Sequence, residues 1–443
     1  MCKAKCLYLV FGFCLVFSKP VTRKCESPCC VNDPAVKIFQ EYLKIDTSRA
    51  ENLKYSVEFW ERQARQLGLP FAVHYSAGKP ICVVTWAGAD PSLPSIMLNS
   101  HADVVTVEEK YWTYPPFSAH IDENCRIYAR GTQDTKSVTI QYLEAIRKLI
   151  QCNVKLLRTL HIVIMPDEET GGYEGMKPFI KTEAFRDLNI GFALDEGLSS
   201  TEDIFYATYV DKRPWQMKFT VFGTAGHGFT MGSESALEKL QKLLNIVMKF
   251  REEQDKIKNQ KESWDYGSYT SVNINVIHGG IATNIVPTEM HAIIDMRLAV
   301  DANVADMTNM VESWRTQVGN DTTIEFIRHD LVSTATALDS NPYWQLMAQT
   351  AKDMGIDLRP VVCPATSDML VLRNAGFPAL GFAPKVRTPS LLHGNDEYLT
   401  VDVFLEGIDI YVAMLKNLGN LADFDAAPNN MNCTEPIRKN REK

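Results

Sequence analysis

No run of about 20 consecutive apolar residues occurs in this chain, so it carries no ordinary transmembrane helix. There is no basic stripe interleaved with aromatics, and 54 acidic against 46 basic side chains leave a net charge of −8. Together these argue against a nucleic-acid binder. No internal repeat or low-complexity tract stands out, which excludes solenoids and repeat arrays. Cysteine is sparse, with 11 in 443 residues. Those beyond Ser18 (Cys25, Cys29, Cys30, Cys82, Cys125, Cys152, Cys363 and Cys433) match neither a disulfide scaffold nor a zinc finger. Cys25, Cys29, Cys30 and Cys433 fall outside the expected core, where terminal disulfides suit an oxidising compartment.

What is present reads as a globular protein too long for one core, so two domains are expected. The first residues stand apart. "MCKAKCLYLVFGFCLVFSKP" places Lys3 and Lys5 before an apolar stretch from Cys6 to Phe17. That pattern predicts a secretory signal peptide over 1–18 and localisation to the secretory pathway.

A helix is expected to start at Asp33-Pro34, with Asp as cap and a stripe of Val36, Phe39 and Leu43. Another follows over 57–67, then strands at 81–86 and 96–100. "GTQDTKSVTIQYLEAIRKLI" enters a helix with Val138, Leu143, Ile146 and Leu149 at helical spacing. "TLHIVIMPDEETGG" and "NIGFALDEG" are strands that end in acids. Strands alternating with helices predict an α/β fold, a sheet with helices on both faces.

After Asp211 the texture changes. "WQMKFTVFG", "SYTSVNINVIHGG" and "TEMHAIIDMRL" alternate as half-buried antiparallel strands do. Between them lies a helix with Leu237, Leu240, Leu244 and Val247 on one face. Residues 210–323 are therefore expected to form an inserted α+β unit. The first domain, 31–209, resumes over 324–421, and 422–443 form a tail.

Why should the apolar strand Ile96-Met97-Leu98 run into "NSHADVV"? His101 and Asp103 are two apart, so they point to one face at the strand's C-terminal end. Open α/β sheets place ligands there, yet a solvated strand end with a satisfied histidine explains the pair taken alone. Three other strand ends or turns close likewise: Gln133-Asp134, Asp167-Glu168-Glu169 and Asp195-Glu196. His393, in "LLHGNDE", lies beyond the insert. Carboxylates converging on one sheet edge repel unless cations neutralise them. Two imidazoles with carboxylates suit zinc or a similar divalent ion, and the number of acids suits two.

"SHADVV", "ARGTQDTK", "PDEETGG", "FALDEG", "GTAGHG", "ATNIVP" and "LLHGNDE" occur in the order seen in the dizinc aminoacylases. That metallopeptidase family also holds carboxypeptidases, dipeptidases and a desuccinylase. "YLKIDT", "ARQLGLP", "YPPF" and "RTPSLLH" are similar to its aminoacylase members in particular. The resemblance runs from about Asp33 to Leu421. It implies a zinc-peptidase-like catalytic domain, a mostly parallel sheet with helices on both faces. It also implies an inserted α+β lid through which a homodimer forms.

Carried across, the resemblance implies two zinc ions per subunit bridged by Asp134. His101 and Glu196 would complete one site, Glu169 and His393 the other. Asp103 would stand behind His101 and fix its tautomer. Glu168 would be the general base, taking a proton from water and returning it to the leaving amine. His227 would reach from the partner subunit to the developing oxyanion. Asn284, Arg297 and Thr366 would meet the substrate's polar end, a guanidinium suiting a carboxylate.

The activity so implied is hydrolysis of small N-acyl-L-amino acids, with short acyl groups and aliphatic side chains. A carboxypeptidase or dipeptidase of the same family is the alternative, and a non-catalytic binding protein the reading from another class. Two motifs depart from the family. Gly228-Phe229 replaces small polar residues after His227, and "HGNDE" replaces the more usual "HDHDE". The leader departs as well, since the resemblance by itself implies a cytoplasmic enzyme.

Overall fold

The computed structural model describes residues 30–422. The expected leader at 1–18, the tail from 423 and the side chains of Cys25, Cys29, Cys30 and Cys433 lie outside the described part. Cys82 and Cys363 are buried free thiols. Among the described residues no helix is long and apolar enough to cross a membrane.

The large sheet is mixed. Its order is Phe71–Tyr75, Pro80–Trp86, Leu160–Met165, Ser95–His101, Ile190–Asp195, Ala379–Phe382, Ile204–Asp211 and Asp357–Cys363. The centre is parallel, with Ser95–His101 between Leu160–Met165 and Ile190–Asp195, and Ala379–Phe382 beyond. Antiparallel pairings join Phe71–Tyr75 to Pro80–Trp86, Pro80–Trp86 to Leu160–Met165, and Ala379–Phe382 to Ile204–Asp211.

Strand periodicity builds the two cores. Along Leu160–Met165, Ile162 and Ile164 join one core, and Val163 and Met165 the other. The first core is covered by Pro34–Leu43, Leu53–Leu67, Lys136–Gln151, Pro342–Met354 and Val401–Gly419. Shorter helices, Met176–Phe179, Glu183–Asp187 and Asp368–Asn374, cover the second. The first helix starts as expected, the Asp33 carboxylate accepting the Ala35 N–H at 2.8 Å.

The expected stripe on Lys136–Gln151 understates its burial. Every residue from Lys136 to Ile146 is buried, because the helix is sandwiched between the sheet and Val401–Gly419. Gly407 permits that approach, since a methyl group there would collide with the Gln141 amide. That amide instead donates to the Phe404 carbonyl at 3.0 Å.

A second, wholly antiparallel sheet has the order Ser271–Gly279, Glu289–Leu298, Arg213–Phe222, Thr323–His329. Its last strand begins at Thr323, the residue at which the inserted block was expected to end, and runs on to His329. The exposed pattern of that edge strand hid it from the hydrophobic signal. Helices Ala236–Lys258 and Val304–Val318 cover one face. On Ala236–Lys258 the buried stripe is Ala236, Leu240, Leu243 and Val247. Leu237, expected inside, is 56% exposed, because the helix is rotated from the assumed phase.

A small sheet completes the frame. Tyr398–Thr400 pairs with Arg126–Tyr128, which pairs with His120–Ile121. It carries the loop holding His393 to the loop holding Asp134.

Candidate metal centre

His101 closes Ser95–His101 and is buried. Its Nδ1 lies 2.8 Å from the main-chain carbonyl of Asp103. A carbonyl only accepts, so Nδ1 carries the hydrogen and Nε2 faces the centre. Nε2 is 3.1 Å from Asp134 Oδ1, 3.5 Å from Glu196 Oε2 and 3.9 Å from Glu168 Oε2. Asp103 thus holds the ring through its main-chain carbonyl rather than its carboxylate. That carboxylate is 3.7 Å from Nδ1. It accepts the N–H groups of Glu168 at 3.2 Å and Glu169 at 3.1 Å, holding the turn that presents both acids.

His393 Nε2 lies 3.3 Å from Asp134 Oδ2 and 2.9 Å from Glu169 Oε2. Asp134 is thus shared by two groups of donors: His101, Asp134 and Glu196, and Asp134, Glu169 and His393. Within each, the ligand atoms lie within 4.8 Å of one another. Glu169 Oε1 is buried with no hydrogen-bond partner. These residues fit a pair of divalent cations: imidazole and carboxylate donors, a common aspartate, and an orphaned oxygen aimed inward.

The electrostatics agree. Burial, then the Glu196 charge, pushes Glu168 well above the usual carboxylate range. Burial, then Asp134, raises Glu169 to about 7. Glu196 is raised by burial and by Asp134. Burial works against Asp134 too, but hydrogen bonds from His101 and His393 hold it well below its ordinary value. Burial opposes a charge on His101, yet Glu196 and Asp134 keep its pKa well above normal. Hydrogen bonds to Asp134 and Glu169 raise His393 to about 10. The cluster holds more negative charge than its imidazoles balance, and cations would relieve that load.

Not every acid at the strand ends enters the site. Asp167 is taken by Lys79, by the Thr170 hydroxyl at 2.6 Å and by the Glu174 N–H at 2.8 Å. Asp195 accepts the Glu196 N–H at 2.8 Å. In each pair one acid shapes the turn and its neighbour faces the cleft.

The sequence reading passed over Arg130, Lys385 and Glu397. Glu397 is fully buried and accepts the N–H groups of Gly131 at 3.2 Å, Gln133 at 2.6 Å and Asp134 at 3.2 Å. It pairs with Arg130 Nη1 at 2.7 Å. Arg130 donates onward to the carbonyls of Gly394 at 3.0 Å and His393 at 3.3 Å. This buried pair joins the Asp134 loop to the His393 loop. Lys385, also buried, donates to the Gln133 carbonyl at 2.5 Å. Arg130 and Glu397 lie within motifs already quoted, but no local periodicity marks an acid whose partners are about 260 residues away.

The donors open onto a cleft of about 530 Å³, lined also by Glu168, Tyr173, Gln216, Arg297, Arg328 and Thr366. Arg297 and Thr366 are therefore brought to the centre, with Nη1 of the arginine 3.4 Å from the Thr366 hydroxyl. His227 and Asn284 are not among its lining residues. They sit together on an exposed patch of the inserted block, where His227 pairs with Ile285 and the Gly228 N–H donates to the Asn284 carbonyl at 2.8 Å. Sequence order alone could not separate these two from the cleft.

Residues 97–417 match the model of Peptidase family M20/M25/M40. The chain is 41% identical over 391 residues to aminoacylase-1 of Sus scrofa, covering 88% of this chain and 96% of that protein. It is 40% identical to the Homo sapiens protein of the same name, with the same coverage. Aminoacylase-1 of Dictyostelium discoideum is 37% identical over 400 residues, covering 87% of this chain and 98% of that one. Among solved structures, human carnosine dipeptidase 1 superposes with a TM-score of 0.71 at 14% identity, covering 89% and 97% of the two chains. An M20 family metallo-carboxypeptidase of Sulfolobus solfataricus gives 0.70 at 17%, covering 87% and 99%. These two likenesses concern the fold alone.

Proposed function

Because the chain belongs to peptidase family M20/M25/M40, we propose that it is a metal-dependent amidohydrolase cleaving N-acyl-L-amino acids to a carboxylate and a free amino acid. The observation that carries this reading is the near full-length similarity to aminoacylases. The two overlapping donor groups that share Asp134 support it.

His101, Asp134 and Glu196 are assigned to one zinc ion, and Asp134, Glu169 and His393 to a second. When bound, such ions polarise the scissile carbonyl and make water more acidic. Glu168 faces the cleft and is not needed as a donor. It takes a proton from the attacking water and delivers it to the leaving nitrogen. Asp103 is a positioning residue, through its carbonyl for His101 and its carboxylate for the Glu168-Glu169 turn.

Arg297 is held by Asp295 through Nε at 2.8 Å and Nη2 at 3.1 Å, with Nη1 toward Thr366. That prepares one edge of the guanidinium for the substrate carboxylate. His227 and Asn284, exposed and outside their own cleft, are assigned to the partner's cleft in a homodimer formed through the inserted block.

Glu397→Gln is expected to weaken zinc binding by roughly 10–100-fold, the usual effect of losing a group that orients ligands. Competition against a chelator measures this; unchanged zinc affinity removes the positioning role of the Arg130–Glu397 pair.

The reading as a whole is tested by kinetics on N-acetyl-L-methionine against dipeptides with a free amino terminus. Faster turnover of the acetylated substrate is expected. A strong preference for dipeptides would instead make the chain an exopeptidase of the same family.

A further inference from the structure

Arg328 is the second guanidinium in the cleft, and neither the metal donors nor Arg297 account for it. It stands on the edge strand Thr323–His329 of the inserted sheet. Asp295, Gln216 and Arg328 lie side by side across three strands. Arg297 is two residues from Asp295 and shares that face, and Gln216, Arg297 and Arg328 together line one wall of the cleft.

The two arginines are engaged differently. Arg297 gives Nε and Nη2 to Asp295 and turns Nη1 toward Thr366, whereas Arg328 makes a single hydrogen bond among the described residues, from Nε to Asp330 Oδ2 at 2.9 Å. No other carboxylate among the described residues lies within ion-pair distance of it. Guanidinium has five N–H donors, and among the described residues the four on Nη1 and Nη2 have no protein acceptor. The side chain is 15% exposed, and a methyl group on Gly171 would sit 3.4 Å from Nη1. The open end of Arg328 therefore abuts the glycine turn that follows Glu168 and Glu169, beside Tyr173, another lining residue. A half-buried guanidinium that gives only Nε to Asp330 and lines a substrate cleft with its outer edge matches a carboxylate in charge and shape.

We propose that Arg328 binds a second carboxylate of the substrate, in addition to the one met by Arg297. The chain then accepts N-acyl amino acids with two carboxylates, carried on either the side chain or the acyl group. This rests on the amidohydrolase reading and widens its substrate class. The strands bearing the two arginines are separated by one strand, on the order of 10 Å at the backbone. Two long side chains converging from that spacing can hold both ends of a dicarboxylate.

The test compares the zinc-loaded full chain with Arg328→Gln on N-acetyl-L-methionine, N-acetyl-L-glutamate and N-succinyl-L-methionine. Arg328→Gln is expected to lower kcat/KM for a dicarboxylate by roughly 10–100-fold, mainly through KM, as for a lost charge-assisted hydrogen bond. N-Acetyl-L-methionine should be turned over unchanged, which also shows that the variant folds. Loss on N-acetyl-L-glutamate places the subsite at the side chain; loss on N-succinyl-L-methionine places it at the acyl group. Equal effects on all three substrates, or none, overturn the proposal while leaving the amidohydrolase reading intact. If none of the three is hydrolysed, that reading fails instead. Calorimetric binding of both dicarboxylates to wild type and variant then decides the role of Arg328, and equal affinities reject it.

Discussion

Replacing Glu168 by glutamine is expected to lower the rate of N-acetyl-L-methionine hydrolysis by at least roughly 10²–10⁴-fold, with zinc content unchanged. The amide keeps the shape of the side chain and can still accept a hydrogen bond, but it cannot take a proton. Geometry separates the two neighbouring acids. Glu169 Oε2 is 2.9 Å from His393 and belongs to a donor group. Glu168 is in neither group and lies 3.9 Å from His101 Nε2, at the cleft side of the donors. Burial raises its proton affinity, and a nearby divalent cation lowers it again, toward the range where one group both takes and returns a proton. Metal analysis beside the kinetics makes the result specific. Lost zinc would move Glu168 into the donor set, and full activity would remove it from the mechanism.

His227→Ala should cost on the order of 10²–10³ in kcat, as expected for one donor to a developing oxyanion. No such effect follows from the side chain's position in its own chain. It is exposed, its Nδ1 accepts the Phe229 N–H at 3.3 Å, and it lines no part of the cleft. A large loss therefore requires it to act on another subunit. Mixing His227→Ala with Glu168→Gln distinguishes the cases. A mixed dimer contains one site with both an intact Glu168 and an intact His227 from its partner. Random pairing of equal amounts gives about a quarter of wild-type sites in a symmetric dimer. Recovery toward that level supports action across the interface, and its absence places the histidine's action within one chain.

The donor types were legible because strand periodicity is local. A residue at the end of Ser95–His101 or Ile190–Asp195 must lie at the sheet's C-terminal edge, whatever else the chain does. His101 and Glu196 follow from that, and so does the expectation that clustered acids need cations. Phase errors arose where burial was set by partners. Leu237 satisfied helical spacing yet points outward, and Lys136–Ile146 is buried all round because a second helix covers it. A periodic pattern reports the width of an apolar face, not what is stacked on it.

The sequence by itself determined which side chains are available to bind cations, and at which strand ends they emerge. The tertiary structure decided how they meet: through the Asp103 carbonyl that orients His101, and through the Arg130–Glu397 pair that brings His393 to Asp134. It also decided that His227 stands apart while Arg328 faces the cleft. The reason is physical. Alternation along a strand is dictated by neighbouring bonds, whereas a hydrogen bond between residues more than 250 positions apart exists only once the sheets and helices have packed.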